Sequence, residues 1–190
     1  MDKNTITVVS GLPRSGTSMM MKMLEAGGLE VIADNQREAD DDNPKGYYED
    51  QRFKTLHKDN SWIKEAVGKS VKVIYNFLVN LPPEHRYNVV FLRREIAEVL
   101  ASQKKMLERR GTKDNIPDDK MAAFFRKDLE RVEAWLAKQP NIDVLYLGYH
   151  DVVKDPMANA ERINGFLGGG LDVQKMAEIA DPGLYRNRAG

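Results

Sequence analysis

The chain has 190 residues and no cysteine; 42% of its residues are hydrophobic and 31% charged, with 29 lysines and arginines balancing 29 aspartates and glutamates. This length fits one globular domain, taken here as residues 1–190, and the balanced charge excludes a histone-like nucleic-acid binder. The lack of cysteine excludes disulfides and thiolate sites and suits a reducing cytoplasm. No apolar run approaches the roughly 18 residues of a membrane span, so we predict neither a span nor a signal peptide.

Strand-like and helix-like segments alternate along the chain. Separated by segments of helical length, β-branched runs cover residues 5–10, 71–75, 88–92 and 143–147. Such alternation is typical of a parallel sheet covered by helices. The first run ends in a glycine-bounded turn that leads into a helix-like segment. The sequence therefore predicts an α/β fold: a single three-layer domain with a central, mainly parallel sheet and a P-loop-like strand-loop-helix.

Three helices are predicted after the third run, residues 88–92. Residues 95–110 have apolar side chains at helical spacing, and the same period returns between residues 121 and 135, where it includes Phe124 and Phe125. A third helix begins at Asp155 and Pro156, an N-cap followed by a first-turn proline, and ends at the glycines of 168–170. Between residues 34 and 46 the periodicity stops. That stretch is predicted to be an exposed loop with substrate contacts.

The turn after the first run has the features of an anion site. Gly11 and Gly16 have the spacing of the nucleotide-binding loop G-x-x-x-x-G-K-[ST], but threonine replaces the lysine and the cation, Arg14, lies inside the loop. Glycines let successive N–H groups point inward, and the following helix adds its positive end. Arg14 supplies a planar fork of donors. Hydroxyl groups that can donate to phosphate or sulfate oxygens stand at Ser15, Thr17 and Ser18.

A second anion site is predicted where the run 88–92 ends in Arg93 and Arg94. Ser102 lies eight residues after Arg94. That separation is about two turns of helix at ~1.5 Å per residue, so one phosphate lying beside the helix can meet both side chains. The alternative for the pair is structural, with Arg94 in a salt bridge and Ser102 solvated or bonded back to the helix.

In this combination the chain resembles the sulfotransferases that use 3′-phosphoadenosine 5′-phosphosulfate. In that family a loop P-[KR]-[ST]-G-T-[ST] binds the 5′-phosphosulfate, and residues 13–18 match it at every position. The family's 3′-phosphate element, an arginine at a strand end and a serine eight residues on, corresponds to Arg94 and Ser102. A Tyr-acid-Asp-x-x-x-Asp-Pro element is similar to residues 149–156, with His150 in place of the acid, and implies that Tyr149 lies near the adenine. Residues 43–49 look like a segment common in bacterial members.

The resemblance implies transfer of a sulfuryl group to a hydroxyl or amine, with adenosine 3′,5′-bisphosphate as the product and no metal. Arg14 and the rest of its loop then stabilise the departing phosphate. Lys72 looks like a family lysine that approaches the bridging or sulfuryl oxygens, although an exposed strand lysine is the alternative. Many cytosolic members place a histidine base two residues further, where this chain has Ile74. Glu49 is our preferred base, and a helix N-terminal acid is the alternative.

Several assignments stay open at this point. Rivals for the base are Glu38 and His57, and Arg186 and Arg188 could close over the 3′-phosphate. The acceptor can be a small molecule, a carbohydrate or a peptide, and the oligomeric state is undetermined. Two other functions fit part of the pattern. One is a nucleotide-dependent, kinase-like phosphotransferase, disfavoured by Thr17 and by the lack of a magnesium aspartate; the other is a non-catalytic nucleotide-binding module.

Overall fold

The computed structural model describes residues 4–34, 46–112 and 116–180. Within these ranges five strands form one sheet: β1 (Thr5–Gly11), β2 (Val31–Ile32), β3 (Ser70–Lys72), β4 (Arg86–Arg93) and β5 (Ile142–Gly148). All neighbouring strands are parallel, in the order β2-β3-β1-β4-β5. Every residue of the central strand β1 is buried, as expected for a strand covered on both faces.

Helices cover both faces of the sheet. They are α1 (Thr17–Ala26), α2 (Ile96–Arg109), α3 (Asp118–Leu136), α4 (Tyr149–Lys154), α5 (Pro156–Phe166) and α6 (Val173–Ile179). On one face α2 and α3 pack with short 3₁₀ helices at Gln51–Thr55, Ser61–Ala66 and Tyr75–Asn80. The other four helices pack on the opposite face. The predicted three-layer α/β fold is confirmed. Among the described residues, no helix is both long and apolar enough to cross a membrane.

Alternation along β1 explains why two separate cores form. Ile6 and Val8 belong to the core beneath α2 and α3, whereas Val9 belongs to the core beneath α1. Successive strand side chains point to opposite faces, so one strand supplies both layers. On the second face, α1 contributes a run of buried methionines, whose flexible side chains fill irregular space. Asp155 caps α5 as predicted, because its Oδ1 accepts from the N–H of Ala158 at 3.1 Å.

Besides the unpredicted helices α4 and α6 and the 3₁₀ helix Ser61–Ala66, the structure differs from the predicted elements in three places. The second run ends as a strand at Lys72, and Tyr75–Asn80 is a 3₁₀ helix because Tyr75 and Leu78, three residues apart, both reach the core. The edge strand β2 was not predicted, because its two residues are too few to show a hydrophobic period. Phe124 is 59% exposed, since adjacent helix positions point about 100° apart and Phe125 takes the core position.

The predicted site residues meet because they follow the carboxyl ends of parallel strands. Gly11, Lys72, Arg93 and Gly148 are the last residues of β1, β3, β4 and β5. The register pairs Gly11 with Leu92 and Arg93 with Gly148, so these ends lie at one edge of the sheet. Ligands of open α/β sheets bind outside this edge. The turn after β1, Lys72, Arg94 and Tyr149 are therefore neighbours.

Candidate functional site

The turn between β1 and α1 packs so closely that both of its glycines are required. A Cβ on Gly11 would lie 2.5 Å from the carbonyl oxygen of Leu92, and one on Gly16 would lie 2.4 Å from Cδ2 of Tyr149. Both have positive φ, 148° and 96°, and so does Arg14, at 71°. For a residue with a side chain that conformation costs about 1–2 kcal/mol. Surrounding contacts hold the turn in this strained shape. Strained backbone conformations of this kind cluster at ligand sites.

The start of α1 presents hydrogen-bond donors, and no residue of its first turn is acidic. That turn contains Thr17 and Ser18. The first N–H groups of any helix lack partners inside it, which gives this end a partial positive charge. Ser15, in the turn, is fully buried, and its hydroxyl has no hydrogen-bond partner among the described residues. These groups fit a bound anion.

Arg14 connects the turn to α2. Its Nε donates to the hydroxyl of Ser102, 3.0 Å away. The backbone of Arg14 is held as well, because Nη1 of Arg94 donates to its carbonyl oxygen at 3.0 Å. Ser102 is buried in the second turn of α2, on a rigid element. The two anion sites predicted separately from the sequence are one hydrogen-bonded unit.

Arg94 is enclosed by a carboxylate and an aromatic ring. Its Nε lies 2.9 Å from Oε2 of Glu98, and its Cζ lies 4.4 Å from the ring centroid of Tyr149. The predictions from sequence did not include Glu98. The four-residue spacing between an arginine and a glutamate at the start of a helix is the signal that could have found it. Arg93 pairs instead with Glu133 of α3, at 2.7 Å.

Lys72 is buried, with its side chain 8% exposed, so the alternative of an exposed strand lysine is wrong. Its Nζ donates to the hydroxyl of Ser18 at 3.2 Å and to the carbonyl oxygen of Tyr47. The same Nζ lies 3.5 Å from Oε1 of Glu49. Lys72 therefore connects the first turn of α1 with the segment that contains the preferred base.

The segment 46–50 holds Glu49 in place through its backbone and its neighbours. The carbonyl oxygen of Glu49 accepts from the N–H of Asp34 at 2.9 Å. Tyr48 has a positive φ of 51°, and its hydroxyl donates to Glu25 of α1. Burial and this contact with Glu25 raise the pKa of Tyr48 above its ordinary value. Asp50, rather than Glu49, caps the following 3₁₀ helix, since its Oδ1 accepts from the N–H of Arg52 at 3.0 Å.

Comparison with known proteins identifies the family. A model of the sulfotransferase family matches residues 76–172, about half of the chain. The chain belongs to the sulfotransferase family. The matched region contains Arg94, Ser102 and Tyr149, whereas the turn after β1 lies outside it. No curated protein sequence matches the chain significantly.

Solved structures share the fold of this family member. Retinol dehydratase, crystallised with androsterone and the inactive cofactor PAP, is 21% identical with a TM-score of 0.55; the match covers 95% of this chain and 64% of that one. Mouse sulfotransferase SULT7A1, complexed with PAP, is 17% identical with a TM-score of 0.57, over 95% and 63% of the two chains. Sulfotransferase STF1 from Mycobacterium tuberculosis is 16% identical with a TM-score of 0.59, over 95% and 73%. The chain thus spans just under two thirds of the first two relatives.

The remaining predicted residues of this sulfotransferase-family chain have different outcomes. His57 is exposed, beyond the 3₁₀ helix Gln51–Thr55. Glu38, Arg186 and Arg188 lie outside the described residues, so their predicted roles are untested. Within the described ranges, no cluster of three histidine, aspartate or glutamate side chains is arranged to bind a metal ion.

Proposed function

We propose that the chain is a sulfotransferase that moves a sulfuryl group from 3′-phosphoadenosine 5′-phosphosulfate to a hydroxyl or amine acceptor. The supporting observation is the position of Lys72, whose Nζ lies 3.2 Å from Ser18 in the anion site and 3.5 Å from Glu49. A cation at the anion site can neutralise charge on a departing phosphate, and a carboxylate close by can accept the proton of an acceptor group.

The donor side is assigned to residues that already contact one another. Arg14, Ser15, Gly16, Thr17 and Ser18 are proposed to hold the 5′-phosphosulfate, through their N–H, hydroxyl and guanidinium donors. Arg94 and Ser102 are proposed to hold the 3′-phosphate, and Tyr149 to lie near the adenine. The strained turn and the Ser15 hydroxyl, which has no partner within residues 4–34, 46–112 and 116–180, support this assignment, because both suit a ligand with many acceptor oxygens.

The proposed chemistry divides between two side chains. When bound, the donor supplies a sulfuryl group attached to a phosphate leaving group. Glu49 accepts the proton of the attacking acceptor group, and Lys72 stabilises the negative charge that grows on the oxygen between phosphorus and sulfur. Arg14 adds positive charge at the departing 3′,5′-bisphosphate. The scheme requires no metal ion, because these cations neutralise the charge that develops.

A nucleotide-dependent phosphotransferase is the main alternative. Thr17 stands where such enzymes place the lysine that reaches the β- and γ-phosphates. Asp151, the acid nearest to the end of β5, lies in the first turn of α4 and is exposed, as expected for a turn residue. The third hypothesis, a binding module without a base, is disfavoured by the contact between Lys72 and Glu49.

Calorimetric titration separates the first two functions. We expect adenosine 3′,5′-bisphosphate to bind the chain more tightly than ATP with magnesium does, and a clear preference for ATP with magnesium contradicts the proposal. Transfer of label from ³⁵S-labelled donor to a panel of alcohols, phenols, carbohydrates, amines and peptides then tests turnover. Binding without transfer to any acceptor favours the non-catalytic module. A cytoplasmic location and the absence of a nucleic-acid partner stay predictions.

A further inference from the structure

The ion pair between Arg94 and Glu98 is unusual because both side chains are buried. They are 8% and 5% exposed, and Arg94 Nε lies 2.9 Å from Glu98 Oε2. Removing two charges from water costs free energy that their attraction often does not return. A buried pair is therefore weak evidence for stability. Its position at the junction of both anion sites suggests that it has another role.

Glu98 completes a set of contacts that fixes the plane of the Arg94 guanidinium. Nε is directed to Glu98, Nη1 donates to the carbonyl oxygen of Arg14, and one face lies over Tyr149. A guanidinium is planar, so fixing two of its nitrogens and one face fixes the direction of the remaining N–H bonds. Glu98 lies in the first turn of α2, where a carboxylate is favoured by the helix dipole and is held by a rigid element.

The neighbouring residue provides a natural comparison. Arg93 also pairs with a glutamate, Glu133, at 2.7 Å, and also lies over a tyrosine, Tyr146, at 4.1 Å. Its side chain is 52% exposed, and its glutamate belongs to α3. The same chemistry thus occurs twice, once partly exposed and once buried against the turn after β1.

We propose that Glu98 is a positioning residue that orients Arg94 toward the 3′-phosphate of the donor and so sets the selectivity for nucleotides with that phosphate. The proposal rests on the proposed function. A carboxylate near a phosphate also has an opposing effect, because it repels the anion and competes for the arginine. The two effects have opposite signs, so an experiment can distinguish them: orientation by Glu98 raises selectivity for the 3′-phosphate, and competition lowers it.

The test measures the ratio of the Kd of adenosine 5′-monophosphate to that of adenosine 3′,5′-bisphosphate. We expect Glu98→Leu, which removes the acceptor, to lower this ratio about tenfold, as when the partner that orients a metal ligand is removed. Glu98→Gln keeps the size of the side chain and a weaker, uncharged acceptor, so it should lower the ratio less. Glu133→Gln, which removes the charge from the matching partner of Arg93, should leave the ratio unchanged. If Glu98→Leu does not fold, as judged by circular dichroism, Glu98→Gln still gives the result.

Each outcome decides a different point. If Glu98 acts in folding alone, its substitution weakens the binding of both nucleotides equally. An unchanged ratio of the two Kd values therefore overturns the proposal. A raised ratio overturns it as well and identifies the carboxylate as a competitor of the phosphate. If the parent chain itself binds the two nucleotides equally, the proposed function is wrong, and this result differs from failure of the Glu98 variants alone.

Discussion

The guanidinium of Arg14 donates to the hydroxyl of Ser102 over 3.0 Å and thereby joins the turn after β1 to helix α2. The two residues are 88 positions apart in sequence. Arg94, which follows β4, also donates to the carbonyl oxygen of Arg14, so two hydrogen bonds link the turn to the region where α2 begins. Binding an anion at either predicted subsite should therefore order the other.

The first prediction concerns this coupling. Arg14→Ala removes a charged donor from the anion site, and we expect it to weaken binding of adenosine 3′,5′-bisphosphate by about 1.5–3 kcal/mol, roughly 10- to 100-fold. Ser102→Ala should weaken it less. In a double-mutant cycle followed by calorimetry, the two substitutions should be non-additive by about 0.5–3 kcal/mol, because the side chains are in contact. Arg93→Ala serves as the control, and additive effects would show that the Arg14–Ser102 bond is irrelevant to binding.

The second prediction tests the base. Glu49→Gln keeps the shape of the side chain but cannot accept the proton, so we expect the rate of sulfuryl transfer to fall about 10²- to 10⁴-fold. The affinity for adenosine 3′,5′-bisphosphate should change little, since Glu49 is assigned to the acceptor side. Initial rates with labelled donor and a titration of the product nucleotide measure the two quantities separately.

His57→Ala is the matched control for the base, because His57 is a rival on sequence grounds and is exposed in the structure. It should retain the parental rate. Normal turnover in Glu49→Gln together with loss of activity in His57→Ala would transfer the role to the histidine. Normal turnover in both variants would direct attention to Glu38.

The sequence predicted the fold and the composition of the donor site because both depend on local patterns. The turn after β1 is contiguous, with Gly11 and Gly16 at fixed spacing, and the strands alternate with helices. Such patterns directly reflect backbone geometry. The parallel register of the strands also explains why residues from four of them meet at one edge of the sheet.

Contacts between distant segments could not be predicted in this way. Nothing near Lys72 in the sequence indicates that its ammonium group is buried against the carbonyl oxygen of Tyr47, since that contact depends on how residues 46–50 return to the sheet. The bond between Arg14 and Ser102 likewise depends on the parallel register of β1 and β4. Glu98 was detectable from its spacing to Arg94, but its burial depends on the packing of α2.

The third prediction concerns Gly16, whose missing side chain allows Tyr149 to pack on the turn. A Cβ there would lie 2.4 Å from Cδ2 of Tyr149, and φ is 96°. Gly28 has nearly the same φ, 95°, and a Cβ added to it would lie more than 4 Å from every other atom in the part of the chain that the structure describes. Gly28→Ala should therefore cost only the backbone strain of about 1–2 kcal/mol. Gly16→Ala should cost more, because it adds a clash.

Urea unfolding of both alanine variants measures this difference. In a Tyr149→Ala background the clash disappears, so Gly16→Ala should then cost no more than Gly28→Ala does. An equal cost of the two glycine substitutions in the parent chain would show that Tyr149 moves aside without penalty. It would also weaken the argument that the turn is held in shape by its neighbours.

The fourth prediction follows from Tyr87, which is 1% exposed and donates to the carbonyl oxygen of Pro82 at 2.8 Å. Burial, with a smaller contribution from the charge of Glu84, raises the pKa of Tyr87 above its ordinary value. Above about pH 10, the unfolded chain loses this proton while the folded chain keeps it. The free energy of unfolding should then fall by about 1.4 kcal/mol per pH unit from this residue alone.

Tyr87→Phe removes the titrating group and also leaves the oxygen of Pro82 without its donor. At neutral pH the variant should be less stable than the parent by about 1–3 kcal/mol, the cost of an unsatisfied buried group. Because only the parent loses stability through Tyr87, the two unfolding free energies should converge as the pH rises beyond about 10. Urea titrations across this range test the prediction, and parallel curves would mean that Tyr87 ionises as readily in the folded chain as in the unfolded one.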